Sequence, residues 1–231
     1  MPNYPGKYFV IEGGDGCGKS TQVERLEKYL TEKGYDVLSI REPGGNEFSE
    51  RVREILRDPA LNRFLDPLTE FLFFSGARSA LYKTEVTPAL QQGKIVLSDR
   101  NDLSSTVYQG VVQGVPLDLI YRISKQILDI NGIPYKPDCG ILISPKIPQD
   151  EKVARELVRK LTEQEDSKKD DRFHHKGPDY HLSIYRAYEE AAKERGFHIV
   201  RYIRGEKGKE EEAIRTMQNE IRKHIDKALR Q

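Results

Sequence analysis

Along the 231-residue chain, short apolar, β-branched runs alternate with longer segments whose apolar positions recur every three or four residues. This is the pattern of parallel βα units, with strands buried on both faces and helices on one. The runs predict strands at 7–12, 36–40, 95–99, 139–143 and 198–203. Between the first two, Val23, Leu26, Tyr29 and Leu30 form one helical face over 19–33, and Gly34 stands where a C-cap belongs. Further helices are predicted at 49–57, 67–91, 117–131, 150–161, 179–195 and 209–229. The fold class expected is α/β, a three-layer fold with a five-stranded parallel sheet flanked by helices and ligands at the carboxyl ends of the strands.

One stretch breaks the rhythm. Residues 162–178 (TEQEDSKKDDRFHHKGP) carry both charge signs and few apolar side chains. Composition favours a solvated surface loop. Its place between two late helices, with Arg172 inside it, makes a mobile active-site lid the competing reading. The adjacent His174 and His175 have no companion ligands in sequence and read as solvated loop residues rather than a metal site.

Composition narrows the partners. Lysine plus arginine (38) nearly cancels aspartate plus glutamate (37), leaving a net charge of +1. Such a balance gives no electrostatic reason for a nucleic-acid or membrane partner, so basic residues that matter should converge locally. Cys17 and Cys139 sit in unrelated contexts, which suggests neither a disulfide framework nor a metal site, and fits a reducing, cytoplasmic setting. The N-terminal residues lack a long apolar run. The length suits a single domain, 1–231.

The strongest chemical signal follows the first predicted strand. Gly13-Gly14-Asp15-Gly16-Cys17-Gly18-Lys19-Ser20, with Thr21 next, matches G-x-x-x-x-G-K-[ST] and opens a predicted helix. Glycines let successive backbone N–H groups face one anion hollow, and the helix adds its positive dipole end. Lys19 supplies a point charge for β- and γ-phosphates, and Ser20 a hydroxyl for Mg²⁺. The fold is therefore expected to be of the P-loop NTP-binding kind, with residues 13–21 holding ATP. Cys17 reads as a small loop residue, and Cys139 as a buried hydrophobe.

A P-loop alone does not choose the reaction. Four further segments follow in order: Arg41-Glu42-Pro43-Gly44-Gly45, Phe74-Ser75-Gly76-Ala77-Arg78, the run from Asp99-Arg100 through Ser104-Ser105 to Tyr108-Gln109-Gly110, and Asp171-Arg172-Phe173. With these the chain resembles the thymidylate kinase family of P-loop nucleoside monophosphate kinases over nearly its whole length. Independently, a phosphate acceptor needs a forked cation, and Arg100 at a strand's carboxyl end is placed to supply it. Phe74 and Arg78 lie four apart on one helix face.

The resemblance implies transfer of the γ-phosphoryl of ATP to dTMP in a homodimer joined through helices around 67–91 and 102–113. It implies that Asp99-Arg100 holds the dTMP phosphate, with Asp99 also steadying Mg²⁺ through water. Phe74 would stack on thymine, and Arg78 would reach its carbonyl edge. Ser104, Ser105 and Gln109 would lie near the acceptor and its base edge, Tyr108 beneath the deoxyribose, and Asp15 near the 3′-hydroxyl. Lys19, Arg100, Asp15 and Arg172 are the catalytic candidates. Where some relatives carry a P-loop arginine this chain has Gly16, so the resemblance assigns the missing charge to Arg172 in the lid. His174 departs from the family's usual glutamate. Ser144 and Pro145 replace an acidic residue after the fourth strand, and Lys152 and Arg155 both remain open as the adenine contact. Two alternatives stand: a kinase for dUMP or another deoxynucleoside monophosphate, and a P-loop binding protein without turnover.

Overall fold

The computed structural model describes residues 4–166, 177–202 and 209–230. Strands β1 (Lys7–Glu12), β2 (Val37–Arg41), β3 (Ile95–Asp99), β4 (Cys139–Ser144) and β5 (His198–Arg201) form one sheet in the order β2-β3-β1-β4-β5, every pair parallel. Side chains alternate across a strand, so each buried strand feeds two cores. Phe9 and Ile11 of β1, Ile95 and Leu97 of β3 and Ile141 and Ile143 of β4 enter one core. Tyr8 and Val10, Val96, and Leu142 enter the other.

Helices α1 (Lys19–Glu32), α7 (Glu151–Asp166) and α9 (Glu210–Ala228) cover the first face through residues such as Leu26, Val158 and Ile221. Helices α3 (Pro67–Leu81), α4 (Thr87–Gln91), α5 (Asp102–Ser105) and α6 (Leu117–Asn131) supply the second. Helix α8 (Pro178–Arg195) reaches both, with Leu182 and Tyr185 in one core and Ile184 and Tyr188 in the other. Helix α2 (Glu47–Arg57) packs Val52 and Leu56 against Ala77 of α3, with Phe73 and Phe74 at the margin.

The departures from the sequence-based elements have local causes. The helix expected over 67–91 is continuous, but a π-helical stretch, Tyr82–Val86, precedes Pro88 in α4. Proline cannot donate to the α ladder and crowds the preceding turn, and a widened turn accommodates it. A second π-helical stretch, Thr106–Val112, continues α5. Helix α2 begins at Glu47 rather than 49, because Asn46 caps it by accepting the Ser49 amide at 2.7 Å. Helix α7 runs to Asp166, so the first residues of the polar stretch are helical, and apolar periodicity carried no sign of it. The rest of that stretch, 167–176 with Arg172, His174 and His175, lies outside the described residues. Among the described residues, no helix is long and apolar enough to cross a membrane.

Candidate active site

The loop between β1 and α1 lies at the carboxyl edge of the sheet, beside β3 and β4. At Gly16 φ is +77°, and a Cβ there would stand 2.5 Å from the Leu161 carbonyl oxygen of α7. Only glycine meets both conditions without strain. Helix α1 has Gly18 at its N-cap, with no side-chain cap and no acidic residue in its first turn. Its first N–H groups therefore remain for an anion. Lys19 folds back over the loop and donates to the Gly14 carbonyl at 2.7 Å, with Thr21 half-buried in the same turn. Cys17 is fully buried and donates to the Gly14 carbonyl, and burial pushes its thiol up despite nearby Lys19 and Arg100. It is a packing residue.

The loop touches the end of β3 at two points. Ser20 donates its hydroxyl to Asp99 Oδ2 at 3.3 Å, while Asp99 Oδ1 is buried without a hydrogen-bond partner. Asp15 turns its carboxylate away from the hollow and takes Arg100 at 2.7 Å on one oxygen and the Tyr108 hydroxyl at 3.3 Å on the other. Arg100 has φ +75° in a non-glycine residue, held by its amide on the Ile11 carbonyl and by Ser98 donating to its own carbonyl at 2.6 Å. That backbone turn sends the guanidinium back towards the loop. Its NH1 donates to Tyr188 at 2.9 Å and Ser104 at 3.2 Å. Burial opposes the charge, but Tyr108, Tyr188, Asp15 and Glu12 together hold Arg100 well above its ordinary range.

A second arginine lies deeper. Arg78, on α3, donates from Nε to Glu42 at 2.5 Å and from NH2 to the Asn101 carbonyl and Ser105 hydroxyl at 3.1 and 3.2 Å. Its NH1 is buried without a partner, as is Glu42 Oε1. Burial works against both charges. Glu42 keeps Arg78 above its ordinary range, while the burial of Glu42 raises its carboxyl although Arg78 opposes the shift. Gln109 donates to Glu70 at 3.4 Å within the helical layer. Phe74 is half-buried near α2.

This arrangement holds a phosphate loop facing an arginine set at the end of the adjacent strand. The family model for thymidylate kinase matches residues 11–202. The chain belongs to the thymidylate kinase family. A thymidylate kinase from Caldicellulosiruptor saccharolyticus is 39% identical over 190 residues, covering 81% of this chain and 84% of that protein. One from Thermoanaerobacter sp. (strain X514) is 37% identical over 189 residues, covering 82% and 85%. The crystal structure of the thymidylate kinase from Ehrlichia chaffeensis matches with a TM-score of 0.69 and 25% identity, over 96% of this chain and 98% of that one.

Several residues that meet this loop and arginine were not visible in the sequence. Glu12, at the end of β1, is fully buried and accepts the Asn101 and Ser104 amides, the Ser104 hydroxyl and the Tyr188 hydroxyl. Tyr185 donates its hydroxyl to the Asp15 carbonyl, and its ring lies 2.6 Å from where a Gly14 Cβ would be. The three-residue spacing of Tyr185 and Tyr188 on one helix was the only signal available. Arg53 of α2 donates to the Pro43 carbonyl at 3.2 Å, and burial, with repulsion from Arg41, Arg57 and Arg100, pushes it down to about 10. Of the two residues open as the adenine contact, Arg155 is engaged by Asp179 at 2.5 Å and Lys152 is exposed.

The oxygen set at Ser20 and Asp99 fits Mg²⁺, a hard cation that keeps several waters and needs few protein ligands. The partnerless buried Oδ1 of Asp99 is the observation that supports this.

Proposed function

We propose that the chain transfers the γ-phosphoryl of ATP to dTMP, giving dTDP and ADP, with residues 13–21 as the donor site and Arg100 as the acceptor's phosphate clamp. The observation that carries this is the 2.7 Å contact between Asp15 of the loop and Arg100 of the strand end, where donor and acceptor sites meet. Family membership supplies the acceptor's identity.

Phosphoryl transfer asks chiefly for alignment and positive charge around the migrating group. Lys19 exchanges the Gly14 carbonyl for phosphate oxygens. Ser20 and Asp99 would hold Mg²⁺, which when bound neutralises charge on the donor phosphates. Arg100 forks onto the acceptor phosphate, and Arg53 joins it: burial, and after it repulsion from Arg41, Arg57 and Arg100, penalises its charge, and an anion beside it would offset both. On the base side, Phe74 stacks on thymine, the partnerless NH1 of Arg78 meets a carbonyl, and Ser105 and Gln109 line the edge. Tyr108 lies under the deoxyribose, and Asp15, once released from Arg100, takes the 3′-hydroxyl. Residues 162–178 form the lid, with Arg172 supplying charge at the transferring group and excluding water. The protein works in the cytoplasm as a homodimer. Leu68 and Leu72 of α3, four residues apart and 42% and 49% exposed, supply apolar surface for a second copy.

The test is ADP release with MgATP and each nucleoside monophosphate in turn. Turnover with dTMP above all others is expected, and turnover with dGMP or CMP but not dTMP would overturn the reading. Lys19→Ala should lower kcat by roughly 10²-fold or more.

A further inference from the structure

Arg100 donates from NH1 to two hydroxyl oxygens, Tyr188 at 2.9 Å and Ser104 at 3.2 Å. A guanidinium only donates, so both oxygens accept there and must send their own hydrogens elsewhere. Both reach Glu12: Tyr188 to Oε2 at 3.0 Å, and Ser104 to Oε1 and Oε2 at 3.1 and 2.9 Å. The two hydroxyls are also 2.7 Å apart. Glu12 takes the Asn101 and Ser104 amides as well, so both of its oxygens are met by donors. Tyr188 is wholly buried, its ring in the core on the α6 and α8 side of the sheet.

We propose that Glu12 and Tyr188 are positioning residues for the acceptor phosphate: the Glu12 carboxylate orients the Tyr188 and Ser104 hydroxyls, and these lock NH1 of Arg100 while NH2 is left to exchange Asp15 for phosphate. This rests on the assignment of Arg100 as the dTMP phosphate clamp. A locked NH1 fixes the plane of the guanidinium, which bidentate recognition of a phosphate requires. Neither residue touches substrate. Both act through Arg100. The burial of Glu12, which raises its carboxyl, is opposed first by Arg100, as this coupling requires.

The experiment compares dTMP with thymidine, which has the same base and sugar but no phosphate. For Tyr188→Phe, which keeps the ring in the core, KM for dTMP should rise about tenfold, the loss of one hydrogen bond to a charged group. The inhibition constant of thymidine and KM for ATP should stay as in the wild type. Glu12→Gln, which replaces one acceptor oxygen with a donor, should shift dTMP in the same direction and again spare thymidine. Parallel weakening of dTMP and thymidine, or no change in either, overturns the inference and leaves the pair a structural one. A wild-type protein that turns over no dTMP overturns the underlying reading, and this inference with it.

Discussion

Arg100 illustrates how one residue's backbone can decide a site. Left-handed φ costs a non-glycine residue about 1–2 kcal/mol, and here two bonds to its backbone and three side-chain partners hold it there. Arg53 should matter to the same ligand. In Arg53→Ala, KM for dTMP is expected to rise about tenfold with KM for ATP unchanged, and steady-state kinetics would show it. Gly16→Ala places a Cβ at φ +77° and 2.5 Å from the Leu161 carbonyl oxygen. It should lower stability by about 1–3 kcal/mol, seen as a fall in Tm, and weaken ATP binding as the loop shifts. At this scale the loop, Arg100 and Asp15 were legible because their chemistry is written in contiguous motifs. Glu12, Tyr185 and Tyr188 were not. Glu12 reads as the polar end of a strand, and the tyrosines as ordinary helix positions, until the chain brings β1, β3 and α8 together.

Elements that carry the site are the ones that depart from ideal geometry. The π-helical stretch Thr106–Val112 follows directly on α5 and contains Tyr108 and Gln109, a setting in which widened turns recur at functional sites. A helix around 102–113 was expected only through the resemblance, and its π winding was not foretold, since the pattern of buried faces is nearly the same for α and π turns. At the far edge of the sheet, His198 of β5 stacks on His224 of α9, with ring centroids 4.0 Å apart. Burial, then His224 and Lys227, lower the His198 pKa below its ordinary value. Because the folded value lies below the unfolded one, this group's contribution to stability is present above about pH 6.5 and is lost as pH falls below it. Denaturant midpoints at pH 7.5 and 5.5 should therefore fall further for the wild type than for His198→Asn. Equal falls would remove His198 from the account.

Across the whole molecule, a five-stranded parallel sheet between helical layers was legible from hydrophobic spacing alone, whereas the strand order β2-β3-β1-β4-β5 was not, because spacing along the chain does not say which strands pair. The acceptor site was legible only through resemblance, because Phe74 and Arg78 sit in a run whose apolar character equally describes core. Assembly belongs to this scale. Replacing Leu72 by Glu should shift sedimentation from dimer towards monomer, since it puts a charge on the apolar stripe of α3 while leaving the buried face of that helix intact. A wild-type protein that sediments as a monomer would remove the assembly from the reading.

The contact between Asp15 and Arg100 has a consequence for which anions the protein accepts. The resting molecule carries its own rival for the clamp, a carboxylate tethered to the loop and so present at a high effective concentration. An incoming anion gains Arg100 only by outbidding that rival. A singly charged ion such as acetate offers no more than Asp15 already does, whereas a phosphate monoester in its doubly charged form offers a second negative charge and more acceptor oxygens. The site is thus gated by charge before the base is read. On the proposed reading, displacement of the carboxylate would leave Asp15 free to engage the sugar at the moment the phosphate arrives.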